Sequence, residues 1–222
     1  MASIPASIVK VVKERFKINI VPGYGMTECA PISLNFQAET FPESVGSIWV
    51  NVEVMIVDQN TGKELKSGKN GEILVKAPQM TKGYYRNKEA TEQTINKDGF
   101  LHTGDIGLIK NDMLYVIGRL KEVIKYKSFQ VPPAEIENIL LGHPGVGDAG
   151  VVGIPDQLCG ELPKALVVRK LPSVNSDELL ELVKGELVDY KQLRGGIQFV
   201  DKIPKSKVGK IDRIKLKKMA TQ

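Results

Sequence analysis

Three short stretches combine glycine with hydroxyl-bearing or charged side chains, a combination that suits the binding and transfer of phosphate. They are GYGMTE at Gly23–Glu28, FLHTGD at Phe100–Asp105 and PKSKVGK at Pro204–Lys210. In the first stretch, the glycines lack a Cβ, so a flat ligand can approach the backbone closely. Tyr24 can stack on a purine, Thr27 offers a hydroxyl to a phosphate, and Glu28 can bind a hard cation such as Mg²⁺. An ordinary tight turn with an exposed glutamate is the alternative.

Asp105 ends the second stretch, and Arg119 follows it at a distance of one hairpin. A carboxylate at a strand edge can accept hydrogen bonds from both hydroxyls of a ribose. Both charged groups should face the open end of the hairpin, where a guanidinium can clamp a ribose or a phosphate. An aspartate that merely opens a turn is the alternative. The sequence places no Ser or Cys nucleophile beside His102, which we interpret as a packing or hydrogen-bonding residue.

Lys210 lies in a lysine-rich loop between Gly209 and Ile211. A mobile ammonium there can reach an acyl phosphate, and it stabilises a transition state in which negative charge accumulates on phosphoryl oxygens. The alternative is one more solvated lysine of a basic tail.

Together with the segment Tyr115–Glu137 (YVIGRLKEVIKYKSFQVPPAEIE), these motifs resemble the adenylate-forming enzymes: acyl-CoA synthetases, 4-coumarate–CoA ligases and beetle luciferases. The resemblance runs over nearly the whole chain. It implies an adenine and α-phosphate site at Gly23, Tyr24, Gly25, Met26 and Thr27, with Glu28 at the metal and Asp105 and Arg119 at the ribose. It also implies that Lys121 and Lys125 face the adenylate, that Lys127, Ser128 and Gln130 border the pantetheine passage, and that Lys210 is the adenylation lysine.

The implied cofactors are ATP or AMP, Mg²⁺ and coenzyme A, and the implied substrate is a fatty or aryl carboxylic acid. The family's Ser/Thr/Gly-rich phosphate loop belongs upstream of Gly23, where the chain has only a short lead-in. We therefore expect the C-terminal portion of such a ligase, inactive alone, with the missing N-terminal part as its partner. A non-catalytic nucleotide-binding or regulatory fragment and a luciferase-like monooxygenase portion stay open.

Two positions depart from the family pattern. Gly118 stands where an aspartate usually precedes the hinge arginine, which should loosen rotation about the hinge. Ser128 stands where the family has glycine, and its hydroxymethyl group should crowd pantetheine and weaken the use of coenzyme A.

The elements that must position these groups change character at Gly118. Before it, short and evenly punctuated strands, including a hairpin across Asn111-Asp112, predict a small β-barrel-like remnant of a large domain. After it, helices and strands mix, which predicts a compact α+β domain. The predicted fold is α+β, with domains at residues 1–118 and 119–222. Finer expectations are a helix at 5–16, strands at 18–21, 45–58, 106–110 and 121–126, and a helix capped by Asn175. The alternating apolar residues of the strand at 45–58, Val50 among them, are expected to share one face.

Composition narrows the function classes. The chain has 222 residues, 42% of them hydrophobic and 26% charged, as in a globular protein. The net charge of +5 lies largely in the last stretch, where Asp201 and Asp212 interrupt the lysines and no aromatic residues alternate with them, so we expect no nucleic-acid binding. The two cysteines have no metal or disulfide spacing. Apolar runs too short to span a bilayer and an end (Ala220-Thr221-Gln222) unlike the peroxisomal Ser-Lys-Leu signal predict a cytoplasmic protein.

Overall fold

The computed structural model describes residues 6–207 and 209–221. These residues divide into two compact units, residues 6–120 and 121–221, between Leu120 and Lys121. The predicted boundary at Gly118–Arg119 lies just before this point. Gly118 itself pairs with Ile106 inside a strand, so its backbone is held by the sheet. The looser hinge expected from this glycine therefore stays a prediction.

The first unit contains two helices and seven strands among its described residues. They are α1 (Ala6–Phe16), β1 (Gly23–Met26), β2 (Cys29–Leu34), β3 (Ser47–Ile48), β4 (Glu53–Val57), β5 (Gly71–Lys76), α2 (Lys88–Thr94), β6 (Leu101–Lys110) and β7 (Met113–Arg119). Strands β1–β3 form one antiparallel sheet and β4–β7 form another. Across residues 6–120 neither sheet closes on itself, so the barrel-like layer is not confirmed. Strand spacing alone does not specify closure, which also needs matched tilt and stagger.

The two sheets of the first unit share one apolar core. Ile32 of β2, Ile73 and Val75 of β5, and Leu101 and Leu114 of the β6–β7 pair are fully buried in it. Main-chain hydrogen bonds from Val45 N to Leu114 O and from Leu114 N to Gly46 O, both 2.9 Å, tie the sheets together beside this core.

Two predicted strands of this unit are wrong. Residues 18–21 form no strand, and Ile18 and Val21 are exposed, since β-branched residues favour a strand only where a neighbouring strand packs against them. The predicted strand at 45–58 is split into β3 and β4 by a turn at Asn51, whose φ of 60° is incompatible with a strand. Val50, predicted to lie on the apolar face of that strand, is in the turn and 72% exposed. Helix α1 matches the prediction, whose first residue, Pro5, lies outside the described residues.

The predicted β6–β7 hairpin is confirmed. Asn111 and Asp112 both have positive φ, 52° and 59°, as a two-residue hairpin loop with the favoured twist requires. Strand β6 begins at Leu101, earlier than the predicted start at Ile106. Asp105 therefore lies inside the strand and not in a turn before it.

The second unit packs helices on both faces of one mixed sheet. Its elements are β8 (Ile124–Tyr126), β9 (Phe129–Val131), α3 (Pro133–Gly142), β10 (Val146–Asp156), β11 (Gly160–Arg169), α4 (Ser176–Glu186), a 3₁₀ turn (Asp189–Lys191), β12 (Ile197–Phe199) and α5 (Arg213–Ala220). The strand order is β10-β11-β8-β9, and β12 adds in parallel to β11. Asn175 caps α4 as predicted, accepting a 2.9 Å hydrogen bond from Glu178 N.

Successive side chains on strands β10 and β11 pack on opposite faces of this sheet. Val151 of β10 and Ala165 of β11 pack under α3 and α4, whereas their neighbours Val152 and Leu166 pack against Leu216 of α5. This period-two alternation, with both faces apolar, is what a sheet covered on both sides requires. None of the helices in the described ranges is long and apolar enough to cross a bilayer.

Helix α5 is not among the predicted elements, since the lysines in this stretch are also typical of a solvated basic tail. Its first residue, Arg213, is held by Glu137 of α3 through both guanidinium Nη atoms, the Nη2–Oε2 distance being 3.0 Å. Arg213 also donates to Val151 O at 2.9 Å and to Glu122 Oε2 at 3.2 Å. Burial alone would lower the pKa of Arg213, but the two carboxylates raise it, so the guanidinium stays charged.

Replacing Arg213 by methionine should destabilise the second unit. Glu137, whose side chain is 8% exposed, would be left as an unpaired buried charge, at a cost of about 3 kcal/mol. Hydrogen-exchange mass spectrometry of the β10 and α5 peptides measures this loss locally. Lys215→Met is the matched control, because the Lys215 side chain on the same helix is 71% exposed. Equal protection in the two variants would contradict the anchoring role.

Candidate functional site

Asp105 and Arg119 face each other across the β6–β7 hairpin. They are register partners, and Arg119 Nε donates a 3.0 Å hydrogen bond to Asp105 Oδ1. The Asp105 side chain is 2% exposed, whereas that of Arg119 is 41% exposed. The pair therefore consists of an inner carboxylate and an outer guanidinium, at the open end of the hairpin as predicted.

Tyr24 of β1 completes this group from the other sheet. Its hydroxyl donates a 2.6 Å hydrogen bond to Asp105 Oδ2. Burial first, and the negative charge of Asp105 second, raise the pKa of Tyr24 far above its usual range, so the phenol remains a donor. The ring is 3% exposed and packs in the core of the first unit. Stacking of Tyr24 on a purine would require the ring to become uncovered, and it stays a prediction.

Further hydrogen bonds fix the main chain at Asp105 and the two residues before it. Asp105 N donates to Thr103 Oγ1 at 3.0 Å, and Thr103 Oγ1 donates to Ile73 O at 2.7 Å. Gly104, with φ of 67°, accepts a 2.9 Å hydrogen bond from Leu120 N. His102 contacts Glu72 at 3.1 Å, so the predicted hydrogen-bonding role of His102 holds.

The group formed by Tyr24, Asp105 and Arg119 is suited to binding neighbouring hydroxyls. Each carboxylate oxygen accepts one hydrogen bond from the protein and can accept another. Arg119 is the more exposed partner, so a ligand reaches Asp105 by displacing or sharing Arg119 and not by displacing the buried Tyr24. The guanidinium would then lie beside the ligand, where it can donate to a ribose or phosphate oxygen.

Gly23 and Gly25, predicted to let a purine approach the backbone, pack against the neighbouring strand. Gly23 and Gly25 lie within β1 and not in a turn. A Cβ at Gly25 would lie 3.1 Å from Ala30 Cβ, and one at Gly23 would lie 2.6 Å from Leu34 Cδ2. Close strand packing thus accounts for both glycines. Met26 is half-buried against the core, and Thr27 is exposed in the β1–β2 loop.

Glu28 follows Thr27 in the two-residue β1–β2 loop and is half-buried. Its Oε1 accepts a 2.7 Å hydrogen bond from the Tyr84 hydroxyl. Residues 6–207 and 209–221 contain no cluster of three or more side chains that could hold a metal ion. A single carboxylate nevertheless fits Mg²⁺ that arrives with a nucleotide, since such ions take one or two protein carboxylates and complete their shell with phosphates and water.

The predicted pantetheine-side residues surround a small hairpin of the second unit. The strand predicted at 121–126 is shorter, Ile124–Tyr126, and Lys121 lies exposed in the turn before it. Lys125 on β8 is the register partner of Gln130 on β9. Lys127 and Ser128 form the exposed two-residue loop between these strands, and the Lys127 ammonium lies 5.4 Å from the Tyr126 ring centroid.

Lys210 is exposed in a loop that is closed at its base. Ser206 N donates to Lys210 O at 2.7 Å, Asp212 N donates to Pro204 O at 2.8 Å, and Lys205 bridges to Ile211 in antiparallel fashion. Asp212 then caps α5 by accepting from Lys215 N at 3.1 Å. The lysine is thus presented by a tied loop directly before an anchored helix.

Two residues that position predicted site residues are not found by sequence reasoning. Tyr84 contacts Glu28 and Arg213 anchors the helix after Lys210, yet neither lies in a motif that announces it. The adjacent tyrosines Tyr84 and Tyr85 differ sharply in partners, with Tyr85 85% exposed. Only the fold distinguishes them.

Comparison with known proteins bears on the same motifs. The family model for AMP-binding enzymes matches residues 1–85, and that for the AMP-binding enzyme C-terminal domain matches residues 135–210. The chain is 45% identical to luciferin 4-monooxygenase of Photuris pensylvanica over 98% of this chain and 41% of that protein. It is 46% identical to 4-coumarate–CoA ligase 3 of Oryza sativa subsp. japonica over 86% of this chain and 36% of that protein. The chain thus spans about 40% of the length of such relatives.

Solved structures give the same result. ATP-bound MatB from Rhodopseudomonas palustris matches 99% of this chain and 44% of its own, with a TM-score of 0.89 and 31% identity. The o-succinylbenzoate CoA synthetase MenE of Bacillus subtilis, in complex with its acyl-adenylate intermediate, matches 98% of this chain and 44% of its own, with a TM-score of 0.88 and 31% identity. The resemblance inferred from the three motifs is confirmed: this chain belongs to the adenylate-forming, AMP-binding enzyme family.

Proposed function

We propose that this chain is the C-terminal portion of an ATP-dependent carboxylic acid–CoA ligase. The observation that carries the proposal is the buried Asp105 carboxylate, held between Tyr24 and Arg119 within a motif of the family. Two neighbours in that family, MatB with ATP and MenE with an acyl-adenylate, bind the nucleotides that such a group would hold.

In the first half-reaction, a carboxylate oxygen of the acid attacks the α-phosphorus of ATP. The bond between the α-phosphorus and the bridging oxygen breaks, giving acyl-AMP and pyrophosphate. Asp105 and Arg119 orient the ribose, Lys210 places positive charge where the α-phosphoryl oxygens gain negative charge, and Glu28 would hold Mg²⁺ that neutralises the phosphates. Lys210 belongs to the second unit, so its delivery depends on motion of that unit, as in enzymes gated by domain movement.

In the second half-reaction, the sulfur of coenzyme A attacks the acyl carbonyl and AMP leaves. The β8–β9 hairpin, with Lys125, Lys127 and Gln130, would face the adenylate at this stage. Its exposed lysines suit the phosphates of coenzyme A. We place this protein in a compartment with ATP and coenzyme A, such as the cytoplasm.

A luciferase-like monooxygenase portion is the second candidate, because identity to luciferin 4-monooxygenase is as high as identity to the coumarate ligase. Both activities begin with adenylation, so the groups discussed above serve either one. Light or oxidised product formed from luciferin in the presence of oxygen, once the N-terminal part is supplied, would favour the monooxygenase.

The 222-residue chain should bind AMP, and Asp105→Asn should weaken that binding. The variant keeps the shape of the side chain but removes its charge, and loss of a charge-assisted hydrogen bond costs about tenfold or more in affinity. Isothermal titration calorimetry with AMP measures the change, with thermal unfolding as a check on folding. Asp112→Asn, in the exposed hairpin loop, is the matched control. Equal affinity in the Asp105 and Asp112 variants would contradict the ribose role.

The 222-residue chain alone should release no pyrophosphate from ATP and a fatty or aryl acid, because it contains no Ser/Thr/Gly-rich phosphate loop. Adding the N-terminal part of a family ligase should restore release, and Lys210→Ala should then lower the rate about 100-fold. The AMP affinity of the Lys210→Ala variant should equal that of the unaltered chain, since Lys210 acts on the transition state. Lys207→Ala in the same loop is the control. AMP binding without any restored turnover would instead indicate a non-catalytic nucleotide-binding module.

Ser128→Gly should raise thioester formation in the complemented enzyme. Removing the hydroxymethyl group should relieve crowding of the pantetheine chain, and we expect a rise of about tenfold in the rate. The rate of pyrophosphate release should not change, because the adenylation step does not involve pantetheine. A coupled assay run with and without coenzyme A separates this rate from the rate of thioester formation. Ser173→Gly, in an exposed turn of the same unit, controls for the added backbone freedom. A thioester rate equal to that of the unaltered chain would rule out the crowding.

A further inference from the structure

Tyr84 contacts the one side chain that the motifs assign to a metal. Its hydroxyl donates to Glu28 Oε1 over 2.7 Å, although the two residues lie 56 positions apart. The Tyr84 side chain is partly covered, with 40% exposure for the residue. A hydrogen bond from a neutral hydroxyl to a carboxylate is charge-assisted and therefore among the stronger ones.

Glu28 is fixed at its main chain as well as at its side chain. Thr81 N donates to Glu28 O over 2.7 Å, so the loop before Tyr84 binds the β1–β2 loop at two points. With Oε1 engaged by the phenol, Oε2 has no hydrogen-bonding partner among the described residues. The orientation of this half-buried carboxylate is thus fixed by contacts at its main chain and at one of its two oxygens.

Tyr84 is itself held by helix α2. Its N donates to Thr91 Oγ1 over 2.8 Å, and its O accepts from Asn87 N at 3.2 Å. Asn87 caps the helix through Ala90 N. The preceding Gly83 has φ of 146°, and a Cβ there would lie 2.6 Å from Thr91 Cγ2, so glycine is required for this approach. The main chain of Tyr84 is therefore fixed independently of the contact between its side chain and Glu28.

We propose that Tyr84 is a positioning residue, which orients Glu28 so that its second carboxylate oxygen binds the Mg²⁺ carried by a nucleotide. The inference rests on the proposed function, since the cation arrives with ATP. Without the phenol, the terminal carboxylate torsion of Glu28 is broad and roughly two-fold, so the oxygen that meets the cation is no longer fixed. Tyr84 contacts neither nucleotide nor metal in this role.

The test is the Mg²⁺ dependence of ATP binding to the whole chain. Isothermal titration calorimetry measures ATP affinity in excess Mg²⁺ and again in EDTA, and the ratio isolates the contribution of the metal. Tyr84→Phe should lower that ratio about threefold to tenfold, while AMP affinity stays unchanged. Glu28→Gln should lower the ratio at least as much, and the double variant should be no worse than Glu28→Gln alone, because Tyr84 acts only through Glu28.

Tyr85→Phe is the matched control, an identical change at the next residue, which is 85% exposed. Its ratio should equal that of the unaltered chain. If AMP binds normally and Tyr84→Phe leaves the Mg²⁺ ratio intact, the role of Tyr84 is wrong and the proposed function is untouched. If the unaltered chain binds no AMP, the proposed function fails and the role of Tyr84 fails with it.

Discussion

A buried carboxylate is the constraint on which the first unit depends. Asp105 has almost no contact with water, and a charge in that position is tolerated only when donors surround it. Tyr24 and Arg119 supply those donors at 2.6 Å and 3.0 Å. Arg119 lies on β7, opposite Asp105 on β6, so this ion pair fixes the register of the two strands. Tyr24 lies on β1 of the other sheet, so its hydrogen bond to Asp105 fixes the position of β1.

The two units use charge differently. In the first, Tyr24, Asp105 and Arg119 are already hydrogen-bonded to one another before any ligand arrives, an arrangement that favours discrimination of hydroxyl positions. In the second, Lys125, Lys127 and Lys210 are exposed. Exposed ammonium groups attract phosphates at long range but specify little geometry. Such a division suits the function proposed above, whether its product is a thioester or an oxidised luciferin.

Local chemistry made part of this arrangement predictable. The Asn111-Asp112 hairpin and the Asn175 cap were found because each depends on a few adjacent residues, and the facing of Asp105 and Arg119 followed from the hairpin. Contacts between distant segments could not be found in this way. Tyr24 meets Asp105 across 81 residues and Arg213 meets Glu137 across 76, and no spacing rule encodes either pair. The strand predicted at 18–21 failed for a related reason: β-branched residues favour a strand only where a neighbouring strand accepts them.

The tied base of the Lys210 loop has a thermodynamic consequence. If the cation lay on a flexible tail, binding a phosphate would order several backbone residues, at a conformational-entropy cost of roughly 1–2 kcal/mol for each. Here main-chain bonds at Ser206 and Asp212 have already removed much of that freedom. What is left to immobilise is chiefly the lysine's own flexible stem, worth about 2 kcal/mol. If Lys210 has the catalytic role proposed above, more of its electrostatic attraction is then left to lower the activation barrier.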